Sequence, residues 1–332
     1  MDKLLAFINQ FPKGVSPKEI EQKLGFSRTT LNRRLKVQIS AGKVRKIGQG
    51  PATKYCGSDP HAILKAYFDT PHTQRPLASY QEGLLQESPN LERQYLEQFS
   101  NLPNYQLDKR EMAKFLIDFS CASSTLEGGT YSLLDTQVLI DYGEKAADKP
   151  LEDAVLVLNH KQAFEYLYNH MNLDSIFMVH DLLTNDHQHS ELKNSRHFLT
   201  QEFRGKVREH NDIDIALSSY LPPFRPGTGY LEKMLNHIKN TANNIENPIQ
   251  AAFYLMMRIA YLQPFQDGNK RTSRAMCNVP LIQANLPPIS FVDFDKKDYI
   301  VSMLAFYELG DTSLAQSCFV RAYHKSIARL KV

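Results

Sequence analysis

Leu31, Leu35 and Ile39 recur every four residues, and that spacing predicts a helix with one inward stripe between Ser27 and Gly42. Ser27 is the cap residue and Gly42 the stop. A shorter helix precedes it, opened by Ser16-Pro17 and carrying Ile20 and Leu24 on one face. After it the period changes to two. Val44–Ile47 reads as a strand, Gly48 to Pro51 as a turn, and the chain returns as a second strand ending at Tyr55. From Lys109 onward the helical period dominates, over Met112–Phe119, Leu133–Tyr142, Asp153–Met171, Leu173–Leu183, Tyr230–Asn240, Pro248–Leu262, Thr272–Ala284, Lys296–Leu309 and Leu314–Leu330. Strand signals are sparse there, the best being Phe203–Arg208 as a hairpin edge. The expected fold class is mainly α.

Composition narrows this picture. The chain has 332 residues, 42% of them hydrophobic, enough for two domains with a sizeable core. The longest apolar run, Ala251–Leu262, is a dozen residues and contains Arg258, too short to cross a bilayer. The first ten residues lack a signal-peptide pattern. The four cysteines stand far apart with no CxxC pair, which points to reduced thiols and a cytoplasmic setting. Charge is unevenly placed. Residues 1–57 hold 12 Lys and Arg against 3 Asp and Glu, a surplus of +9 that leaves −6 on the rest of a chain with net charge +3. A basic end on an acidic body suggests that this end meets a polyanion.

The two helices and the hairpin of residues 1–57 resemble a winged helix-turn-helix domain. The resemblance implies that the second helix enters the major groove of duplex DNA with Arg28, Thr29, Thr30, Asn32 and Arg33 leading, while Lys43, Arg45 and Lys46 meet phosphates from the wing. Gly57-Ser58-Asp59-Pro60 marks the boundary, residues 58–107 a helical connector, and residues 108–332 the helical body.

Within that body, Tyr261-Leu-Gln-Pro-Phe-Gln-Asp-Gly-Asn-Lys-Arg-Thr-Ser-Arg274 reads as a helix end, a tight turn and a cationic helix start. Pro264 stops the first helix and leaves Gln263 at its end, free to point out of the core. Asp267-Gly268-Asn269 is turn chemistry. Successive turn amides followed by a helix N-terminus make an anion nest, and Lys270, Arg271 and Arg274 add three cations. Asp267 can hold Mg2+ beside phosphate oxygens.

This string resembles the signature of the Fic (Fido) family, His-Pro-Phe-x-Asp/Glu-Gly-Asn-Gly-Arg-x-x-Arg, through Pro264, Phe265, Asp267, Gly268, Asn269, Arg271 and Arg274. Gln263 stands for the His and Lys270 for the last Gly. Upstream, Ser123-Ser-Thr-Leu-Glu127-Gly128 resembles the family's inhibitory motif, Ser/Thr-x-x-x-Glu-Gly/Asn. The resemblance implies a Fido-type helical domain that takes ATP and Mg2+ and transfers AMP to a hydroxyl of a protein target. It implies that Asp267 holds the metal, that Gly268, Asn269, Lys270 and Arg271 cradle the phosphates, and that Arg274 grips the last of them. It further implies that Asn278 lies near the adenine, that a flap at Phe203, Gly205 and Arg208 pins the target by strand addition, and that Ser123 and Glu127 inhibit, the carboxylate occupying Arg274.

A primary amide has no proton to titrate near neutral pH, so Gln263 cannot act as the general base. Three readings stay open: an autoinhibited adenylyltransferase weakened at Gln263, a DNA-binding regulator whose Fic domain senses nucleotide or forms a homodimer, and a phosphotransferase of the Doc type, which Lys270 resembles. His187, His189, His197 and His210 read as solvated loop residues, and His180 as a satisfied core histidine.

Overall fold

The computed structural model describes residues 2–86, 91–211, 213 and 215–330. Residues 87–90 of the expected connector lie outside the described residues, as do the terminal positions 1, 331 and 332. The chain divides into two compact units, residues 1–78 with 215–219, and residues 79–214 with 220–332.

In the first unit, α1 (Lys3–Asn9), α2 (Pro17–Leu24) and α3 (Arg28–Ser40) precede an antiparallel hairpin of β1 (Val44–Ile47) and β2 (Lys54–Gly57), followed by α4 (Pro60–Phe68). Ser16 and Glu19 form a reciprocal capping box on α2, and Ser27 caps α3 through the Thr30 amide. Val15 pairs with Tyr55 and widens the hairpin. Leu4, Ile8, Val15, Ile20, Leu31, Leu35 and Val44 form one core. α1, unread in the sequence, supplies Leu4 and Ile8, one turn apart. Ile39, expected inward, is 40% exposed. Eight residues at 3.6 per turn rotate its side chain about 80° from Leu31, off the stripe.

The second unit holds single turns α5 (Gly83–Gln86) and α6 (Arg93–Leu96), then α7 (Lys109–Glu127), α8 (Leu133–Tyr142), α9 (Leu151–His170), α10 (Ile176–Leu183), α11 (Tyr230–Asn244), α12 (Pro248–Leu262), α13 (Asn269–Met276), α14 (Asn278–Gln283), α15 (Lys296–Leu309) and α16 (Ser313–Leu330). α7 opens with an Asp108–Glu111 capping box and stops at Gly128, whose φ of 112° favours glycine. α12 is the centre. Pro248 at its start and the Asn247 cap fix where it begins, and nearly every residue from Ile249 to Leu262 is buried. It packs on α11, α13, α14 and α15, so its C-terminal end is held from several sides. Even Arg258 is enclosed, its Nε donating to Leu84 O at 3.2 Å. Among the described residues no helix is long and apolar enough to cross a membrane.

Phe203–Arg208 is not a strand. The segment is a run of turns with Gly205 at φ 63°, and the Arg208 amide donates to Pro264 O at 2.9 Å. Local turn chemistry, that bond and the Gly205 amide's bond to His180 Nδ1 fix it in place of a ladder.

Candidate functional site

The site grows from the end of α12. Pro264 ends the helix, and Gln263 takes a left-handed conformation, φ 51° and ψ 56°. That turn does not release its side chain, which is only 5% exposed. The carboxamide Nε2 donates to Ala260 O at 2.6 Å, and Oε1 accepts from Asn269 Nδ2 at 2.9 Å. The outward orientation expected for Gln263 therefore does not hold, because both of its polar ends have partners inside the protein. Asn269 closes the same loop. Its Oδ1 accepts from the Phe265 amide, and its Nδ2 also donates to Phe265 O, both at 2.9 Å. Its side chain shapes the turn from within.

Gly268 precedes α13 at φ 74°. A Cβ there would come within 2.7 Å of Thr184 Cγ2, so a second reason besides the backbone demands glycine. Gly268 offers no side chain to cap α13, so among the described residues no side-chain cap serves its first-turn amides. His180, fully buried on α10, stacks on Phe265 with ring centroids 3.9 Å apart. Its Nε2–H donates to Asp267 O at 3.0 Å, and its Nδ1 accepts from the Gly205 amide at 2.9 Å. Burial lowers its pKa to about 3, against the pull of the Asp267 carbonyl and with the push of Arg271. The neutral ring thus ties the 203–208 turns to the Asp267 turn. It is a satisfied core histidine, and it also sets the loop.

Asp267 stays accessible, its side chain 45% exposed, with Oδ2 on Arg271 Nη2 at 2.5 Å. Arg271 Nη1 donates to Leu183 O at 3.0 Å and His197 O at 2.8 Å. Its guanidinium is therefore a brace that aims Asp267. Lys270 is half-buried beside it.

Arg274, on the next turn, is fully buried. Nε donates to Ser123 Oγ at 2.9 Å, Nη2 to Ser123 O at 3.2 Å and to Glu127 Oε1 at 2.7 Å, and Nη1 to Tyr299 Oη at 2.9 Å. Burial alone would raise the Glu127 pKa. The charge of Arg274, with Lys270 and Arg271 behind it, overcomes this and holds the carboxyl well below the usual range. The structure thus brings Ser123 and Glu127 of α7 onto Arg274, from a sequence distance of about 150 residues.

Asn278, expected near an adenine, is fully buried and uses its amide on Arg274 O, Ile289 O and the Ile289 amide. Arg208, expected on a flap, is 5% exposed and holds Gln263 O with Nε at 2.8 Å. In the first unit Arg28, Thr29, Asn32, Arg33, Lys43, Arg45 and Lys46 are exposed and Thr30 half-buried. Arg28 pairs with Glu21 at 3.0 Å. Tyr299 and His197 were missed in the sequence. Nothing local marks Tyr299, which lies 25 residues past Arg274. His197, read as solvated, has a side chain only 15% exposed.

A profile of the Fic/DOC family matches residues 170–281. Protein adenylyltransferase Fic of Nematostella vectensis is 26% identical over 188 residues, 53% of this chain and 40% of the relative. That of Aedes aegypti is 24% identical over 186 residues, 54% of this chain and 35% of the relative. The chain thus spans less than half the length of these curated relatives. Among solved structures, a Fic-1 fragment from C. elegans aligns with TM-score 0.52 at 20% identity, over 75% of this chain and 70% of that one. A Fic domain containing signaling protein from Bacteroides thetaiotaomicron aligns with TM-score 0.51 at 19% identity, over 75% of this chain and 95% of that one. The expected mainly helical Fido fold is the fold observed, and the stretch similar to the Fic/DOC family spans residues 170–281.

Proposed function

We propose that the helical unit binds ATP at the Asp267–Arg274 turn as a protein adenylyltransferase whose resting state is held off by Glu127. The observation that carries this is the Arg274–Glu127 pair at 2.7 Å, which puts a carboxylate on the cation a terminal phosphate would need. The open amides of α13 and the glycine turn suit the remaining phosphates. Named relatives that are protein adenylyltransferases support the same reading.

Mg2+ fits the donor set. Among the described residues no cluster of three or more metal-ligating side chains exists, and Asp267 offers one accessible carboxylate. A single carboxylate with phosphate oxygens and water is how Mg2+ is commonly held. Bound there, the ion would neutralise phosphate charge.

Gln263, locked by two hydrogen bonds, leaves position 263 without a base, and transfer should be slow. Loss of a general base costs on the order of 10²–10⁴ in rate. Incubation with α-labelled and γ-labelled ATP tests the assignment. Label from the α-phosphate on protein, faint in the parent chain and stronger in Glu127→Gly, is the expected result. Label from the γ-phosphate alone would show phosphotransfer instead.

A second reading concerns the first unit, which we take to be a winged helix that binds duplex DNA, so that the chain also acts as a regulator. The exposed cations of α3 and the hairpin, on a segment with a +9 surplus, favour it. About five phosphate contacts predict a log–log slope of binding against salt of about −4.5. Arg45→Ala should lower that slope by about one. A salt-independent constant would refute the reading.

A further inference from the structure

α7, which carries Ser123 and Glu127 onto Arg274, is fixed at its front and soft at its end. Phe115, Leu116 and Phe119 are buried, and Phe115 and Phe119 pack on Phe164 of α9 with ring centroids 4.5 and 5.2 Å away. The buried Asp118 takes both prongs of Arg329 from α16 at 2.5 and 2.6 Å, and Lys114 Nζ donates to Arg329 O at 2.7 Å. The last two turns, Ser120-Cys-Ala-Ser-Ser-Thr-Leu-Glu127, differ. Four of these eight residues are Ser or Thr, whose hydroxyls compete with the helix ladder. Ser124 Oγ already donates back to Cys121 O at 3.0 Å. Leu126 is the one apolar side chain of residues 123–127. A helix end with little apolar burial is the part that opens first.

Such opening is what a phosphate on Arg274 would need. Turning the Glu127 side chain aside frees one N–H. A two-pronged grip needs a second, and Ser123 holds Nε through its hydroxyl and shares Nη2 through its backbone carbonyl. That carbonyl moves only with the helix backbone. The Glu127 side chain also has little room, being 12% exposed. Past the last turn, the Gly128 and Gly129 amides close the helix on Thr125 O and Ser124 O. The chain is then caught at Thr130, three residues beyond Glu127. The Thr130 amide and hydroxyl both donate to Asp153 Oδ2, at 2.7 and 2.6 Å. Thr130 is exposed, whereas Asp153 is buried in the first turn of α9. One carboxylate thus holds the far side of the glycine pair.

We propose that Asp153 is a positioning residue of the inhibitory contact: by pinning Thr130 it keeps the last turn of α7, and with it Ser123 and Glu127, on Arg274. The consequence for ligand binding rests on the nucleotide reading above. Unlocking is then a shift of residues 123–130 between the fixed front of α7 and Asp153, rather than the rotation of one side chain. The pinned state and the nucleotide-bound state compete for the same guanidinium. Weakening the pin therefore raises the share of molecules that can bind, and bound nucleotide loosens the pin in return.

The test uses the full chain. Hydrogen exchange reads the pin without nucleotide. In Asp153→Ala the amides of residues 123–130 should exchange roughly tenfold faster or more, while residues 111–119 keep the parent rate. Calorimetry with the Mg2+ complex of a non-hydrolysable ATP analogue reads the consequence. Asp153→Ala should bind on the order of fivefold more tightly than the parent chain. Thr130→Val, on an exposed residue and with the amide bond kept, should do the same to a smaller extent, and it decides the matter if Asp153→Ala does not fold. Added to Glu127→Gly, Asp153→Ala should change affinity by no more than about twofold, because three consecutive glycines already uncouple Ser123 from the pin. Arg329→Gln loosens the fixed front instead. It should lower the melting temperature and leave affinity within about twofold of the parent. Parent exchange rates at 123–130 in both pin variants would overturn the proposal. So would a gain in affinity that Arg329→Gln matches, or one that persists in full beside Glu127→Gly. No heat from any chain, Glu127→Gly included, would remove the nucleotide reading, and faster exchange confined to 123–130 would still support the pin.

Discussion

Glu127→Gly is expected to bind MgATP roughly 30-fold or more tightly than the parent chain, while being less stable without nucleotide. Both effects come from one contact. In the resting protein Arg274 spends four hydrogen bonds on Ser123, Tyr299 and Glu127, and only Glu127 among them is an anion. On the proposed nucleotide reading, a phosphate would have to displace that carboxylate, and separating a buried charge pair costs about 2–5 kcal/mol. Every 1.4 kcal/mol recovered is about tenfold in affinity. Deleting the carboxylate also leaves a fully buried guanidinium without a counter-charge, a loss of about 3–5 kcal/mol in folding stability. The melting temperature should therefore fall without ligand, and the deficit from the parent chain should shrink at saturating MgATP, where the tighter binding offsets part or all of it. Paired measurements by calorimetry and thermal melts check both arms. Affinities within threefold of each other would mean that Glu127 does not gate Arg274.

The lock should not respond to pH in the ordinary range. The Glu127 pKa is depressed in the folded chain, so its contribution is fully present above the unfolded carboxyl pKa near 4.5 and is lost only as pH falls below it. Between pH 5 and 8 the carboxylate stays charged, and release needs a ligand or a movement of α7.

How much of this was legible beforehand depends on the range of the interaction. Helix ends are local, and Ser16, Ser27, Asp108 and Gly128 cap or stop helices through neighbours a few residues away. The turn around Gly268 was equally readable, since a left-handed glycine and a helix start leave signals in adjacent residues. Side-chain direction was not. Gln263 stands where the chain turns outward, yet its amide folds back because Ala260 O and Asn269 offer partners that water would otherwise replace. Arg271 looked like a phosphate ligand and is held by carbonyls of Leu183 and His197, the latter 74 residues away. His197 read as solvated because its own stretch is polar, and only the Leu192 and Phe198 anchors draw it in.

Asn269→Ala should be the most damaging single change in the turn, and chiefly to folding. Its side chain serves three buried groups at once, the Phe265 amide, the Phe265 carbonyl and Gln263 Oε1. Alanine strands all three where water does not reach, and each unsatisfied buried group costs about 1–3 kcal/mol. A combined loss of about 3–5 kcal/mol is expected, and in a unit of this size roughly 10 °C in melting temperature. Asn269→Asp distinguishes this from a phosphate-binding role. A carboxylate can still accept the Phe265 amide, but it faces Phe265 O and Gln263 Oε1 with oxygen against oxygen. It should be nearly as unstable as the alanine variant. If either variant melts within about 2 °C of the parent chain, near the smallest shift expected per kcal/mol, and loses only nucleotide binding, then Asn269 faces the ligand and the internal network is not what shapes this turn. The expected order, parent well above both variants with the deficit present before any nucleotide is added, places the work of Asn269 inside the loop. The phosphates are then left to the backbone amides of α13.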